Sequence, residues 1–190
     1  EIVNQISDLK GEPDWMRQRR LKAFEIFESK PMPNWGPDLS KLNFDEIIFY
    51  TPPGAKRANR WEDVPADIRR IYDGIGIPQA EQKYLAGVVA VYDQEPVYEN
   101  LKKRFADMGI IFTSMDTAVK EYPDLVKEYF MNRCVPPSDN KFAALHGAVW
   151  SGGSFVYVPA GVKVDIPLQA YFRMESRSEG TFEHTLILVE

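Results

Sequence analysis

Apolar residues recur at helical spacing through the first part of the chain. In residues 13–29, Met16, Arg20, Ala23 and Phe27 share one face and charged residues occupy the other, which predicts a helix. The same spacing, with Pro and Gly as start and stop signals, predicts further helices at residues 63–72, 96–108 and 123–130. Short strands are predicted between them at residues 47–50, 87–92 and 110–112. The first part of the chain is therefore predicted to be mostly helical.

The pattern changes after residue 139. A short helical piece is followed by three β-rich runs, the first after Gly153 and the others at residues 166–174 and 181–189. Each run is rich in Val, Ile, Phe, Tyr and Thr and is bounded by turn residues, which is typical of strands. Because the last run stops at Glu190 without a turn or cap, a sheet ending there would expose unpaired backbone groups. We therefore expect a larger β structure, whose strand-turn-strand rhythm could be that of a solenoid and of which these 190 residues are a fragment.

Proline clusters divide the chain. Residues 136–139, Pro-Pro-Ser-Asp, separate the helical part from the β-rich part, so we predict domains at 1–138 and 139–190 and an α+β fold class. Pro31, Pro33 and Pro37 exclude a helix or central strand after the first helix. We expect an extended connector there, with Trp35 packed on the body of the protein.

Composition excludes several classes of function. The net charge of -5 argues against a general nucleic-acid surface, which needs clustered Lys and Arg. No run of about 18 apolar residues is present, so no membrane span is predicted. The N-terminus lacks the basic and apolar regions of a secretory signal, and a single Cys excludes an internal disulfide framework. We expect a cytoplasmic protein, or one of the plastid stroma in a plastid-bearing organism.

Few residues here can carry metal or nucleophilic chemistry. An iron–sulfur cluster usually needs four thiolates, and the chain offers only Cys134, His146 and His184. We expect Cys134 to be a small buried residue, although the neighbouring Arg133 would favour a thiolate. His146 is interpreted as a hydrogen-bonded polar group, and His184 as a polar residue of a strand.

Motifs of enzymes are not recognisable in this sequence. Gly152-Gly153 lacks the Lys-Ser/Thr of a phosphate loop and is predicted to be a turn. One Cys and two distant His residues do not assemble a nucleophile, a base and an orienting group. We therefore predict no catalytic residues and no enzymatic activity.

Several segments pair Trp, Pro and Gly at fixed spacing. They lie at residues 6–16 (ISDLKGEPDWM), 30–39 (KPMPNWGPDL), 76–81 (GIPQAE) and 83–87 (KYLAG), and further segments lie at 139–162, 169–173 (QAYFR) and 182–187 (FEHTLI). In unbroken order over nearly the whole chain, they resemble the N-terminal region of the SufB family, the scaffolds of iron–sulfur cluster assembly in the Suf system.

The resemblance implies a helical N-terminal domain followed by the first coils of a right-handed parallel β-helix. It implies that the ATPase SufC docks on a C-terminal segment beyond this chain, and that the paralogue SufD pairs through the β-helix. It also implies that the full-length protein holds an iron–sulfur cluster, whose ligands are expected after Glu190, so that this chain binds no cofactor or metal.

Arg173 and Glu175 are the candidate site residues. Being two residues apart on one strand, they would share a face. The family's Arg in this Tyr-Phe-Arg motif is implied to line an interior passage for sulfur, where its charge could hold a persulfide or thiolate anion. The family typically has Asn at the second position, so Glu175 would pair with Arg173 and weaken that role. A structural ion pair is the equal alternative.

Two other functions remain open. A SufD-like structural partner without a cluster site would share the fold, although the N-terminal segments favour SufB. A carbohydrate-acting β-helix enzyme is the alternative of a different class. It predicts secretion and a ladder of acidic residues on one strand face, and neither is visible in the sequence.

Overall fold

The computed structural model describes residues 1–51, 61–76, 85, 87–92, 95–174 and 180–190. Side chains are described throughout these ranges except at positions 91–100. All statements about the structure refer to these residues.

Seven α-helices, two short 3-10 helices and six strands lie within the described ranges. The α-helices are α1 (Ile2–Lys10), α2 (Asp14–Ser29), α3 (Ala66–Gly74), α4 (Lys103–Ala106), α5 (Met115–Glu121), α6 (Pro123–Tyr129) and α7 (Lys141–Val149). The strands are β1 (Gly87–Tyr92), β2 (Glu95–Leu101), β3 (Ile111–Ser114), β4 (Ser154–Val158), β5 (Leu168–Arg173) and β6 (Leu186–Val189). The 3-10 helices are Phe44–Glu46 and Trp61–Asp63. The predicted mixture of helices and sheets is confirmed.

The chain divides into two compact units that are discontinuous in sequence. Unit 1 contains the described parts of Glu1–Pro52, Asp116–Ser151 and Ser176–Phe182, and unit 2 contains those of Pro53–Met115, Gly152–Glu175 and Glu183–Glu190. Both units draw residues from either side of position 138. The boundary predicted there, between domains 1–138 and 139–190, stays a prediction.

Unit 1 is built around the packing of α2 on α7. Gly147 makes this contact close, because a Cβ added there would lie 2.8 Å from the Cβ of Ala23. The surrounding apolar core includes Val3 and Ile6 from α1 and Leu145 from α7. Asn140 starts α7, since its side-chain oxygen accepts the backbone N–H groups of the first turn.

Helix α1 has no counterpart among the predicted elements. It is amphipathic, with Val3 and Ile6 buried, and it ends at Gly11, whose φ of 57° is left-handed. The N–H groups of Gly11 and Glu12 bond the last carbonyls of the helix, which satisfies groups that the helix leaves unpaired. The ammonium of Lys10 bonds Asp116 at 2.8 Å and ties this end of the helix to α5.

Unit 2 contains two three-stranded sheets, ordered β2-β1-β5 and β3-β4-β6. In each sheet one pairing is antiparallel, β1 with β2 and β3 with β4. The other pairing is parallel, β1 with β5 and β4 with β6. Val88, Val89 and Ala90 are all fully buried, so β1 is covered on both faces.

Several sequence predictions are corrected here. Residues 96–108 were predicted to form one helix, but β2 runs to Leu101 and only α4 follows, because pairing with β1 outweighs the helical spacing. Residues 47–50 form no strand; Ile48 instead accepts one backbone hydrogen bond from Gly180 at 3.0 Å. The last strand begins at Leu186 rather than near 181, so His184 lies before it. The β-helix stays a prediction.

Candidate functional site

Arg173 is the last residue of β5. It lies opposite Tyr92 of β1 in the parallel ladder, and it is exposed to solvent. Phe172 beside it is 43% exposed. Glu175, the second candidate, lies outside the described residues, so the predicted pairing of the two side chains stays a prediction.

Cys134 is exposed, which contradicts the expectation of a buried residue. The reason is its place in the irregular segment after α6, where residues 132–135 are all exposed. Arg133 forms an ion pair with Glu128 at 2.9 Å and lies over the ring of Tyr129. The charge of Arg133 is therefore partly balanced by Glu128.

Buried charges meet in the core of unit 1. The Nη2 and Nε atoms of Arg20 donate to the two carboxylate oxygens of Glu12 at 2.6 and 2.8 Å, and Nη1 donates to the Ala148 carbonyl at 3.2 Å. The Arg20 guanidinium also lies 4.5 Å from the centroid of the Trp150 ring. The side chains of Arg20 and Glu12 are 0% and 2% exposed. This pair has no access to a soluble ligand and serves to fix α2 against its neighbours.

The ion pair was not predicted, although the sequence contains a signal for it. Arg20 falls on the apolar face of α2 by helical spacing, and an Arg at such a position needs a buried partner. Glu12 precedes that helix by two residues, in the turn that joins α1 to α2. Its distance of eight positions from Arg20 matches no helical pair, so the pairing depends on the turn at Gly11.

His146 lies in α7, partly buried. Burial and, to a smaller extent, the positive charge of Arg20 lower the pKa of His146 from 6.5 to about 4. At neutral pH the imidazole is therefore uncharged. That state is compatible with a ligand role, but no group of acidic, His or Cys side chains accompanies it among the described residues.

The backbones of His184 and Gly153 lie close together in unit 2. A Cβ at Gly153 would lie 2.0 Å from the carbonyl oxygen of His184, and the φ of Gly153 is 100°. The N–H of His184 donates to the carbonyl of Gly152 at 3.3 Å. Residues 151–153 form no turn, so that prediction is wrong; the lack of a side chain at Gly153 instead lets the segment before β6 pass close to the backbone.

A surface groove of about 350 Å³ lies in unit 1. Its lining residues are Lys30, Pro31, Met32, Pro33, Asn34, Trp35, Asp139, Asn140 and Lys141. The expectation that Trp35 packs on the body of the protein is wrong, since this residue is 64% exposed. The three prolines hold the segment away from regular structure, and the Lys141 ammonium fixes its start by donating to the carbonyls of Phe27 and Lys30, both at 2.7 Å.

The donor set of this chain does not fit an iron–sulfur cluster. Cys134 is its single thiol, and no three His, Cys, Asp or Glu side chains lie together as metal ligands in the part of the chain that the structure describes. Whether the chain binds a cluster stays a prediction. None of the described helices is long and apolar enough to cross a membrane.

Comparison with known proteins identifies the family. The sequence profile of the SufBD protein N-terminal region matches residues 75–170, which is half of the chain. The chain belongs to the SufBD family. Its resemblance to SufB is confirmed: it is 54% identical, over all 190 of its residues, to the iron–sulfur cluster assembly protein SufB of Bacillus subtilis.

Other SufBD relatives agree. An iron–sulfur cluster assembly SufBD family protein of Staphylococcus haemolyticus is 54% identical over 189 residues, and one of Staphylococcus aureus is 53% identical over the same length. The chain covers 41% of the Bacillus protein and 40% of each staphylococcal one. It therefore spans about two fifths of the length of these relatives. All three relatives are named as iron–sulfur cluster assembly proteins.

Proposed function

We propose that this chain is part of a non-enzymatic scaffold on which iron–sulfur clusters are assembled in the cytoplasm. The observation that carries the proposal is 54% identity along the whole chain to a protein named SufB. The cluster is the cargo of such a scaffold, and its ligands come from residues outside these 190. In the same proposal, the ABC-type ATPase SufC supplies ATP hydrolysis and the paralogue SufD is the structural partner.

The strand path supports a β-helix as the frame of this scaffold. After Gly153 the chain passes from β4 in one sheet to β5 in the other and returns to β6 beside β4. Phe155 pairs with Leu186, so 186 − 155 gives 31 residues for one turn of this path. Parallel pairing of successive turns is the geometry of a β-helix. We propose that β4, β5 and β6 belong to its first coils.

The apolar face of β6 supports the same reading. Val156 and Val158 of β4 are 9% and 6% exposed, and they pair with Ile187 and Val189 of β6. Directly paired residues share a face of the sheet. Ile187 and Val189 are nevertheless 61% and 70% exposed. In the proposed β-helix, the next coil of a longer protein would cover this extension of the core.

We further propose that Arg173 and Glu175 line the interior passage for sulfur in the complete protein. Arg is always charged and presents several donors, which suits a persulfide or thiolate anion. Support is limited to the position of Arg173 at the end of β5 and its exposure. A structural ion pair with Glu175 is the competing role.

The experiment compares this chain with a protein of the relatives' full length that contains it. Both are reconstituted anaerobically with iron and sulfide, and their visible absorption and bound iron are measured. The longer protein is expected to hold a chromophoric cluster and to co-purify with SufC, while the 190-residue chain does neither. A cluster bound stoichiometrically by the 190-residue chain would overturn the ligand assignment. A longer protein that binds SufC but never a cluster would favour the SufD-like role.

A further inference from the structure

The two sheets of unit 2 have different kinds of outer strand at their two ends. At one end the outer strands are β2 and β3, and each is antiparallel to its neighbour. At the other end they are β5 and β6, and each is parallel to its neighbour. Every outer strand leaves a row of backbone donors and acceptors that another strand could use. The two ends differ in how strongly their sequences and geometry disfavour such pairing.

Strand β2 carries three features that disfavour such pairing. Pro96 lacks a backbone N–H, and proline in sheets is confined to edges and bulges. Glu95 and Glu99 add charge. The register steps from Ala90 paired with Tyr98 to Val91 paired with Pro96, so the intervening position 97 has no partner and forms a bulge. Natural proteins use Pro, charges and bulges to keep edge strands from pairing.

Strand β3 is protected in a different way. It is only four residues long and continues directly into α5 at Met115. Strands β2 and β3 also contact each other. Leu101 at the end of β2 packs on the apolar cluster that contains Phe112 of β3. The outer strands of the two sheets therefore meet at this end and are tied to one core.

Strand β6 is as short as β3, but it lacks the other features. Its sequence is Leu-Ile-Leu-Val, with no proline and no charge, and its pairing with β4 shows no irregularity. Ile187 and Val189 on one face are exposed. Strand pairing is thus disfavoured at the β2 and β3 end by the proline, charges and bulge of β2, none of which β6 has.

We propose that β2 and β3 form a terminal cap that stops strand addition at this end of unit 2, including pairing with a second copy of the chain. This inference uses only the edges of the two sheets. It is independent of whether the complete protein is an iron–sulfur scaffold or a β-helix.

The cap is tested first by removing its features. The double variant Pro96→Thr/Glu99→Thr replaces both residues by one with high β propensity. Its molar mass is measured by light scattering over a roughly hundredfold range of protein concentration, because weak association increases with concentration by mass action. We expect the variant to associate more than the parent and its residues 95–101 to exchange amide hydrogens more slowly as concentration rises. Glu121→Thr, an exposed acid on α5, is the control for lost charge and is expected to match the parent.

A folded double variant with the mass of the parent at every concentration would overturn the cap. If the double substitution prevents folding, Glu99→Thr alone is expected to increase association in the same way but by a smaller amount. The parent supplies an independent test, because a capped edge requires exchange at residues 95–101 to be insensitive to concentration. Slower exchange there in concentrated parent protein would refute the proposal.

Discussion

Unit 1 buries charged side chains, whereas the buried polar side chains of unit 2 are hydroxyl groups. Among the described residues, the side chains of Lys10, Glu12 and Arg20 are charged and buried, and all three belong to unit 1. In unit 2 the buried polar residues are Thr113, Ser114 and Ser154. Apolar packing alone allows two helices several rotations relative to each other. A buried ion pair restricts them, because few of those rotations bring the two charges together. Strands obtain their register from the backbone ladder, so unit 2 needs no buried charge.

The strongest test of this difference breaks the ion pair of unit 1. Arg20→Ala leaves the Glu12 carboxylate buried without its partner, and losing one partner of a buried pair costs about 3–5 kcal/mol. We expect the free energy of unfolding of unit 1 to fall by that order, measured by urea unfolding with near-UV circular dichroism. Hydrogen exchange should show the loss in α2 and α7.

The double variant Glu12→Leu/Arg20→Met, with two hydrophobic replacements, is the matched control for the ion pair. It removes both charges while keeping similar volumes, and such replacements are often near neutral. Equal losses for the single and double variants would mean that Arg20 stabilises the protein through packing on Trp150 rather than through its charge.

A comparable loss in unit 2 is expected from a backbone contact. Gly153→Ala puts a Cβ 2.0 Å from the carbonyl oxygen of His184 and requires a non-Gly residue at a φ of 100°. Strain and overpacking each cost about 1–3 kcal/mol, so we expect a loss of roughly 3 kcal/mol in the same unfolding measurement. The loss should appear in the exchange of β4 and β6.

Gly161→Ala separates the two causes. Gly161 also has a positive φ, 75°, but a Cβ there has no neighbour within 4 Å. It should therefore cost only the conformational strain, about 1 kcal/mol. If both variants lose the same stability, the close approach of His184 contributes nothing.

The contrast between helix packing in unit 1 and strand pairing in unit 2 also explains which elements could be predicted from the sequence. The spacing of Met16, Arg20 and Ala23 predicted α2, because helical periodicity is a local property. At residues 96–108, Tyr98, Leu101 and Phe105 fit a helix equally well, yet pairing with β1 makes the first half a strand. Such pairing joins distant positions, so no local pattern reveals it.

Site predictions failed or stayed open for a related reason. The exposure of Cys134 depends on how the segment after α6 leaves the helix, which residue type alone does not state. The partner of Arg20 depends on the turn at Gly11. Arg173 could be placed on its strand by alternation, but the role of that strand depends on what covers it.

The pH dependence of stability provides a smaller test, again confined to unit 1. Because the pKa of His146 is lowered from 6.5 to about 4, the folded state binds fewer protons than the unfolded state between these values. The contribution of His146 is fully present above pH 6.5 and is lost as pH falls towards 4. We expect a loss on the order of 3 kcal/mol across this window, given about 1.36 kcal/mol per pKa unit.

His146→Asn isolates this contribution, since Asn does not titrate. The difference in unfolding free energy between parent and variant should shrink steadily from pH 7 to pH 4. A difference that stays constant over this range would show that the imidazole titrates normally and that burial and Arg20 do not act on it as described.

The smallest expected effect concerns the exposed face of β6. Val156 and Ile187 are directly paired, yet their exposures are 9% and 61%. Val156→Ala should cost about 2 kcal/mol because it leaves a cavity in the core of unit 2. Ile187→Ala removes a larger side chain but should change stability by less than about 0.5 kcal/mol, as surface substitutions do. Urea unfolding of both variants in the 190-residue chain measures the contrast.

The same pair of substitutions, made in a protein of the relatives' full length, distinguishes what lies over β6. If a further coil covers this strand, Ile187→Ala leaves a cavity there and its cost should rise to about 2 kcal/mol or more, while the cost of Val156→Ala stays the same. An Ile187→Ala variant that remains neutral in the longer protein would show that this face stays in contact with solvent. The proposed continuation of the coils would then be wrong, although the family, the strand pairing and the cap at β2 and β3 would be unaffected.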